Sequence, residues 1–264
     1  MEVHHSSHSG KTFKDYFFEF LMLFLAVTLG FFAESFREHI VEKKREKDYM
    51  KEVVENLIYD TTRCSRNLAE NIRDVLGLDS LRTELKEAIS GKINSNALYY
   101  YTLKFTGDFG IAVFNTSAIT ELKNSGSLRL IANKEIVNDL SDYYERKLIA
   151  ANFFIPISLG SAAFGDAKNE LFSMVDLDDY LQSLDSISNG STPITYDYSR
   201  ILRRVPTLKL LNADPKSLER FYTVSYKFEV ELKRYIFWLN YVRAEAVKLM
   251  NRIREEYHLK RTNN

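Results

Sequence analysis

From Tyr16 to Ala33 (YFFEFLMLFLAVTLGFFA) apolar residues run almost without interruption, so a helix here is apolar around its whole circumference. A core helix of a soluble domain keeps a polar face, and this run has none. At the α-helical rise it reaches about 27 Å, close to the hydrocarbon thickness of a bilayer, which predicts a transmembrane helix over 16–33. Tyr16, Phe17 and Phe18 at one end and Phe31 and Phe32 at the other fit interfacial aromatic anchors. No small-residue cleavage site leads into a polar mature start, so a retained anchor is expected rather than a removed leader. Residues 1–15 read as a polar tail.

Beyond the run the pattern turns amphipathic. Glu42 to Asp48 (EKKREKD) is charged at every position, with opposite charges three residues apart, as in a solvated helical stalk. Met50, Val54, Leu57, Thr61, Cys64 and Leu68 then alternate spacings of four and three, an apolar seam that must face another helix. Gly77 with Asp79 and Ser80 predicts a break or kink, after which Leu81, Leu85 and Ile89 continue to Gly91. Residues 34–91 are thus a stalk helix or a helical hairpin.

Residues 92–186 form a central helical region. The aromatic-rich stretch 97–113 fits a short strand or an irregular packed segment. A short helix is expected over Ser117 to Lys123, ending near Gly126, and Asn133 caps another that runs through Leu140 and Leu148 until Pro156 interrupts it. Gly160, Ser161, Ala162, Ala163 and Gly165 are small enough for close helix contact or for a loose loop. Residues 187–213, with Ser188-Asn189-Gly190-Ser191-Thr192-Pro193 inside them, are a loop. Asp214 followed by Pro215 then starts a helix that neither Gly nor Pro interrupts, so 214–264 is one long helix. Leu218, Phe221, Ser225, Phe228, Leu232, Tyr235, Leu239, Val242, Ala246, Leu249 and Ile253 repeat by three and four throughout, predicting coiled-coil-like packing. Tyr222, Val224, Ile236, Phe237, Trp238 and Tyr241 widen this face, and a second helix is expected to cover them. The stalk is the natural partner, and an antiparallel pairing returns Arg252, Arg254, Lys260 and Arg261 toward the anchor. The expected fold is mainly α: an N-terminal transmembrane helix continuing into a long stalk, with an elongated helical bundle outside the membrane.

One acid interrupts the anchor. Helical spacing puts Glu19 on one face with Met22, Ala26, Gly30 and Ala33, whose small members allow a neighbouring helix to approach closely, the main source of association in lipid. Glu19 reads either as a proton- or cation-responsive group inside an oligomer or as a shallow side chain reaching the headgroups. Orientation stays open. Arg37, Lys43, Lys44, Arg45 and Lys47 after the span outnumber Lys11 and Lys14 before it, but long domains are exported regardless of such charges.

Composition narrows the partners. Thirty-six basic residues cancel thirty-six acidic ones, so there is no net field of the kind that binds nucleic acid. One cysteine, Cys64, excludes an internal disulfide and reads as a small core residue. No phosphate-binding glycine loop, nucleophile elbow, paired cysteines or His-Glu-x-x-His helix is present, so neither an enzyme nor a cofactor is expected. His4, His5 and His8 sit in a short polar tail and read as disordered rather than as metal ligands. Asp60-Thr61-Thr62, Asp79-Ser80-Leu81 and Asp185-Ser186-Ile187 are similar to a short O-glycosylation acceptor sequence.

Two segments carry a resemblance. The anchor, with its early acid and late Gly30 followed directly by the charged stalk, and the stretch from Phe114 through Asn115, Ser117, Leu122, Gly126 and Ile131 to Leu140 and Tyr143-Tyr144 resemble an uncharacterised family of single-span membrane proteins common in Bacteroidetes genomes. That family usually has a strongly basic N-terminus, where this chain has histidines and two lysines. The resemblance implies an inner-membrane anchor with the domain in the periplasm, and implies no activity. The expected role is a non-enzymatic oligomeric scaffold of the bacterial envelope, in contact with lipid, with further copies and with other envelope proteins. The alternatives are a single-span subunit of an ion-coupled membrane machine using Glu19, and an envelope ligand sensor, for which a tail of about fifteen residues leaves little room for an output domain.

Overall fold

The computed structural model describes residues 13–106, 110–153, 162–173, 175 and 208–260. Two long helices organise them. The first, α1 (Phe13–Ile89), holds 77 residues and is about 115 Å long. It contains both the apolar run and the stalk. Gly77 does not break it, so the hairpin alternative is absent. Gly77 is instead a point of tight packing, because a Cβ there would overlap the ring of Phe105. Helix α1 ends at Gly91, which takes φ of 94°; its N–H bonds the Ala88 carbonyl at 2.9 Å and that of Lys92 bonds the Glu87 carbonyl at 2.9 Å. This paired closure satisfies the last carbonyls of the helix and needs the glycine.

The chain then turns back into α2 (Ser95–Thr106), started by the Asn94 side chain on the Ala97 amide at 3.2 Å. Most of the undecided 97–113 stretch is therefore helix, with Leu98, Tyr99 and Thr102 buried against α1. Burial of those side chains outweighs the strand preference of the tyrosines. From Gly110 to Thr116 the backbone is extended without pairing to another strand. Helix α3 (Ser117–Asn124), a single tight turn (Ser127–Leu130) and α4 (Lys134–Ser141) follow. Asn133 caps α4, its side chain accepting from the amides of Glu135 and Ile136. The helix continues through a wider π turn, Asp142–Lys147, into α5 (Leu148–Phe153). The sequence offers no sign of that turn.

Helix α6 (Ala162–Leu171) leads to Phe172, which pairs with Leu210 in an isolated antiparallel bridge, the one strand-like pairing among the described residues. The expected effects of Pro156 and of Gly160 and Ser161, the Asp185-Ser186-Ile187 triplet and residues 187–207 of the expected loop lie outside the described residues. The last helix, α7 (Pro215–Glu256), starts at Asp214, whose carboxylate accepts from the amides of Lys216 and Ser217 at 2.9 and 3.2 Å.

Helix α7 runs antiparallel along the distal half of α1, from about Glu46 onward. Arg82 Nε meets Glu229 at 2.7 Å, Arg243 donates to Ser65 at 3.2 Å, and Tyr257 donates to Glu46 at 2.6 Å, in inverse order along the two helices. Every position of the predicted α7 seam is buried: Leu218, Phe221, Ser225, Phe228, Leu232, Tyr235, Leu239, Val242, Ala246, Leu249 and Ile253. Of the residues expected to widen it, Tyr222, Val224 and Ile236 pack at the edge of the core. Phe237 and Tyr241 do not. Phe237 is 65% exposed and Tyr241 is exposed, each edge-on to Trp238 at 5.8 and 5.5 Å, on a flank of α7 turned away from α1.

The core falls into two parts. The one nearer the apolar run joins Met50, Val53 and Leu57 to Ile119, Ile136, Tyr143, Val242 and Leu249; the distal one joins Leu78, Leu81 and Leu85 to Leu98, Phe164, Phe221 and Leu232. Phe114, on the extended segment, packs against both.

Candidate functional site: a bare helix face and a buried polar junction

The first quarter of α1 is exposed. Glu19, Met22, Ala26, Gly30 and Ala33 are all exposed, Met22 to 71%, and the most apolar 18-residue window of the helix has no residue buried. Phe17, Phe24, Leu25, Phe31 and Phe32 are exposed as well, so the bareness covers the full circumference. At Gly30 a Cβ would meet nothing within 4 Å. Nothing in a single chain therefore requires glycine there.

Where the stalk enters the body a clip closes. Glu46, buried among apolar neighbours, accepts from the Ala132 amide at 2.8 Å and from the Tyr257 hydroxyl at 2.6 Å. The end of α7 and the turn before α4 are thereby held to α1 about 20 Å beyond Ala33. The Tyr257 hydroxyl is pushed above its usual range by burial and by the Glu46 carboxylate. Arg252, which the pairing brings to this end, does not face outward alone; it holds Asp139 and Glu135 of α4.

The second place lies between the two core parts. Asn56, Asp60, Asn67, Asn71 and Asp74 line one flank of α1, all buried. Spacings of four, seven, four and three keep them on one side of the helix, where the extended segment 110–116 lies across them. That segment lacks a strand partner, and its polar groups need others. Asn71 supplies a two-way contact with Gly110, donating to its carbonyl at 2.9 Å and accepting its N–H at 3.0 Å. The Ala112 N–H donates to the Tyr235 hydroxyl of α7 at 2.9 Å. Asn115 donates its N–H to Asp60 at 2.7 Å and its side-chain amide to Asn56 at 2.9 Å, and Asn56 donates to Ser117 at 3.2 Å. Gly110 permits the close approach, since a Cβ there would stand 3.1 Å from the Asn67 Cα.

Asp60 is 0% exposed, and burial raises its carboxyl to about 7 against the opposing pull of the Asn115 N–H. Across from it the π turn brings in Tyr143 and Tyr144, ring centroids 4.9 Å apart and nearly perpendicular. Both hydroxyls are pushed upward by burial first and by the Asp60 charge second. Cys64, one turn from Asp60, is buried and raised to about 12 for the same two reasons, which leaves an inert thiol. Asn115 of the extended segment and Tyr143 and Tyr144 of the π turn thus act on Asp60, which the sequence had shown only as part of an acceptor-like triplet. That triplet and Asp79-Ser80-Leu81 both lie inside α1, with Thr61 bonded back to the Ile58 carbonyl at 2.9 Å.

Among the described residues no three His, Cys, Asp or Glu side chains gather as metal ligands would, and the His4, His5 and His8 tail lies outside them. These features define a mainly helical protein whose described residues include one helix long and apolar enough to cross a membrane, continuing into a two-part helical body. No protein-family model, curated protein or solved structure matches the chain.

Proposed function

We propose that the chain is a non-enzymatic, membrane-anchored scaffold of the bacterial envelope. It self-associates through the face of Glu19, Met22, Ala26, Gly30 and Ala33 and presents its helical body to other envelope proteins. One observation carries this reading: an apolar stretch, bare on every side, that continues as the same helix into the folded body. Exposed apolar area on that scale is what a bilayer covers. The glycine in the small-residue face supports association, because the folded monomer makes no use of it. Residence in the inner membrane with the body in the periplasm follows from the family resemblance.

Three measurements test it. The protein should stay in the membrane pellet through carbonate and high-salt washes; release of full-length protein without detergent refutes the anchor. Gly30→Leu should leave the melting profile unchanged while reducing cross-linked dimers in membranes several-fold; undiminished cross-linking refutes the face. Cys64 is buried, so a cysteine placed at the exposed Glu55 in a Cys64→Ser background reports topology. It should react with an impermeant maleimide in cells whose outer membrane alone is opened, and protection until lysis places the body in the cytoplasm. Glu19→Gln distinguishes the ion-coupled alternative, which requires activity lost with assembly intact.

A further inference from the structure

We propose that Asp60 is a proton-binding site that latches the extended segment 110–116 between α1 and α7, closed when the carboxyl is protonated and loosened when it is ionised. The geometry is that of an incomplete cluster. One carboxyl oxygen accepts from the Asn115 N–H at 2.7 Å, and the other is buried with no hydrogen-bond partner. The hydroxyls of Tyr143 and Tyr144, 1% and 7% exposed as residues, are likewise buried and unpartnered, as is the Asn67 side-chain amide nitrogen. Neither hydroxyl is hydrogen-bonded to the free oxygen, so an ionised carboxylate in this fully buried place is held by the Asn115 N–H alone, and the neutral carboxyl avoids that uncompensated charge.

Among the described residues no cation pairs with the ionised form. On α1, Arg63 lies over the Tyr59 ring with its guanidinium carbon 5.7 Å from the centroid, and Cys64 is a neutral thiol. The π turn contributes Tyr143 and Tyr144, both held neutral, while its Lys147 is engaged by Asp142 and Glu245 at 2.7 and 2.5 Å. The extended segment contributes Asn115 alone. From α7 come Tyr235, which receives the Ala112 N–H, and Arg243, which acts on the Cys64 thiol and is turned to Ser65. An ionised Asp60 is then a lone charge beneath 110–116, and lifting that segment is the movement that lets water reach it.

Asn115 concentrates the effect. Its N–H meets Asp60, its side-chain amide meets Asn56, and its side-chain oxygen receives the Ser117 N–H at 3.0 Å. Displacement there frees the start of α3 and the neighbouring Phe114, which bridges the two core parts.

Burial raises the carboxyl to about 7 in the closed state, above its ordinary value, so the closed state binds the proton more tightly. Closure is therefore strongest below about pH 4 and weakens as pH rises through about 7. Between pH 5 and pH 7 the opening equilibrium should increase roughly 50-fold, and it should level off above about pH 8.

The experiment is hydrogen exchange by mass spectrometry on the full chain in lipid nanodiscs from pH 5 to pH 8, corrected for intrinsic exchange rates, with α7 as internal reference. Wild type should show the rise in peptides covering 110–116, and Asp60→Asn, which fixes the neutral form, should be flat. A flat wild type, or an equal slope in Asp60→Asn, overturns the proposal. Should Asp60→Asn fail to fold, infrared difference spectra of the wild type decide: a protonated-carboxyl band lost with a midpoint near pH 7 supports the latch, and its absence at pH 5 overturns it.

Discussion

Replacing Gly77 by Ala sets two well-scaled effects against each other. In the middle of an exposed helix this change gains about 1 kcal/mol, because glycine loses the most backbone freedom on folding. Here the new methyl would occupy space held by the Phe105 ring, overlapping its Cγ and both Cδ atoms rather than a flexible tip. The ring has to leave, and with it go part of its burial and its contacts with Tyr100 and Tyr101, each with centroids 6.1 Å away. Overpacking of this kind typically costs about 1–3 kcal/mol, so Gly77→Ala should destabilise the wild type by about 1 kcal/mol net. In a Phe105→Ala background the obstacle is gone, and the same substitution should stabilise by up to about 1 kcal/mol. The change of sign is the diagnostic, a coupling of about 2 kcal/mol between the two positions. Urea unfolding of the four proteins in detergent, followed by circular dichroism and by the single tryptophan, Trp238, measures it. If Gly77→Ala stabilises both backgrounds equally, Gly77 is not a contact point and the account of why α1 tolerates it is wrong.

Leu249→Ala, in the buried seam, should cost about 2–5 kcal/mol, whereas Phe237→Ser on the uncovered flank should change stability by no more than about 0.5 kcal/mol; thermal denaturation of both separates seam from flank. Glu46→Ala leaves the Ala132 amide and the Tyr257 hydroxyl without their shared acceptor and should cost about 1 kcal/mol, with trypsin cutting after Arg252 and Arg254 appearing first. Removing the α4 cap by Asn133→Ala should cost about 1 kcal/mol in the same denaturation assay, and an unchanged midpoint would discount the cap.

The parts that could be read from the chain are those where one helix repeats one pattern. The α7 seam held from Leu218 to Ile253 because spacings of three and four over that length have no other packing solution. The Asp214 and Asn133 caps, and the end of α1 at Gly91, were visible for equally local reasons. Gly77 was misread because a glycine inside a helix signals either a break or a close approach, and only the position of Phe105 distinguishes them. The junction at Asp60 was missed for a related cause. Asn56, Asp60, Asn67, Asn71 and Asp74 have helical spacing, but a polar stripe beside an apolar seam ordinarily faces water. Here it faces a backbone, and nothing in the stripe itself says that a segment some fifty residues later will lie on it.

The uninterrupted course of α1 has a mechanical consequence. From Ala33 to Ile89 the helix extends about 84 Å with no hinge, so a reorientation of about 10° near its start sweeps its far end through roughly 15 Å. Such a lever converts small angular changes at its root into displacements comparable with the width of a helix pair. Whatever the tip touches would register them as translation.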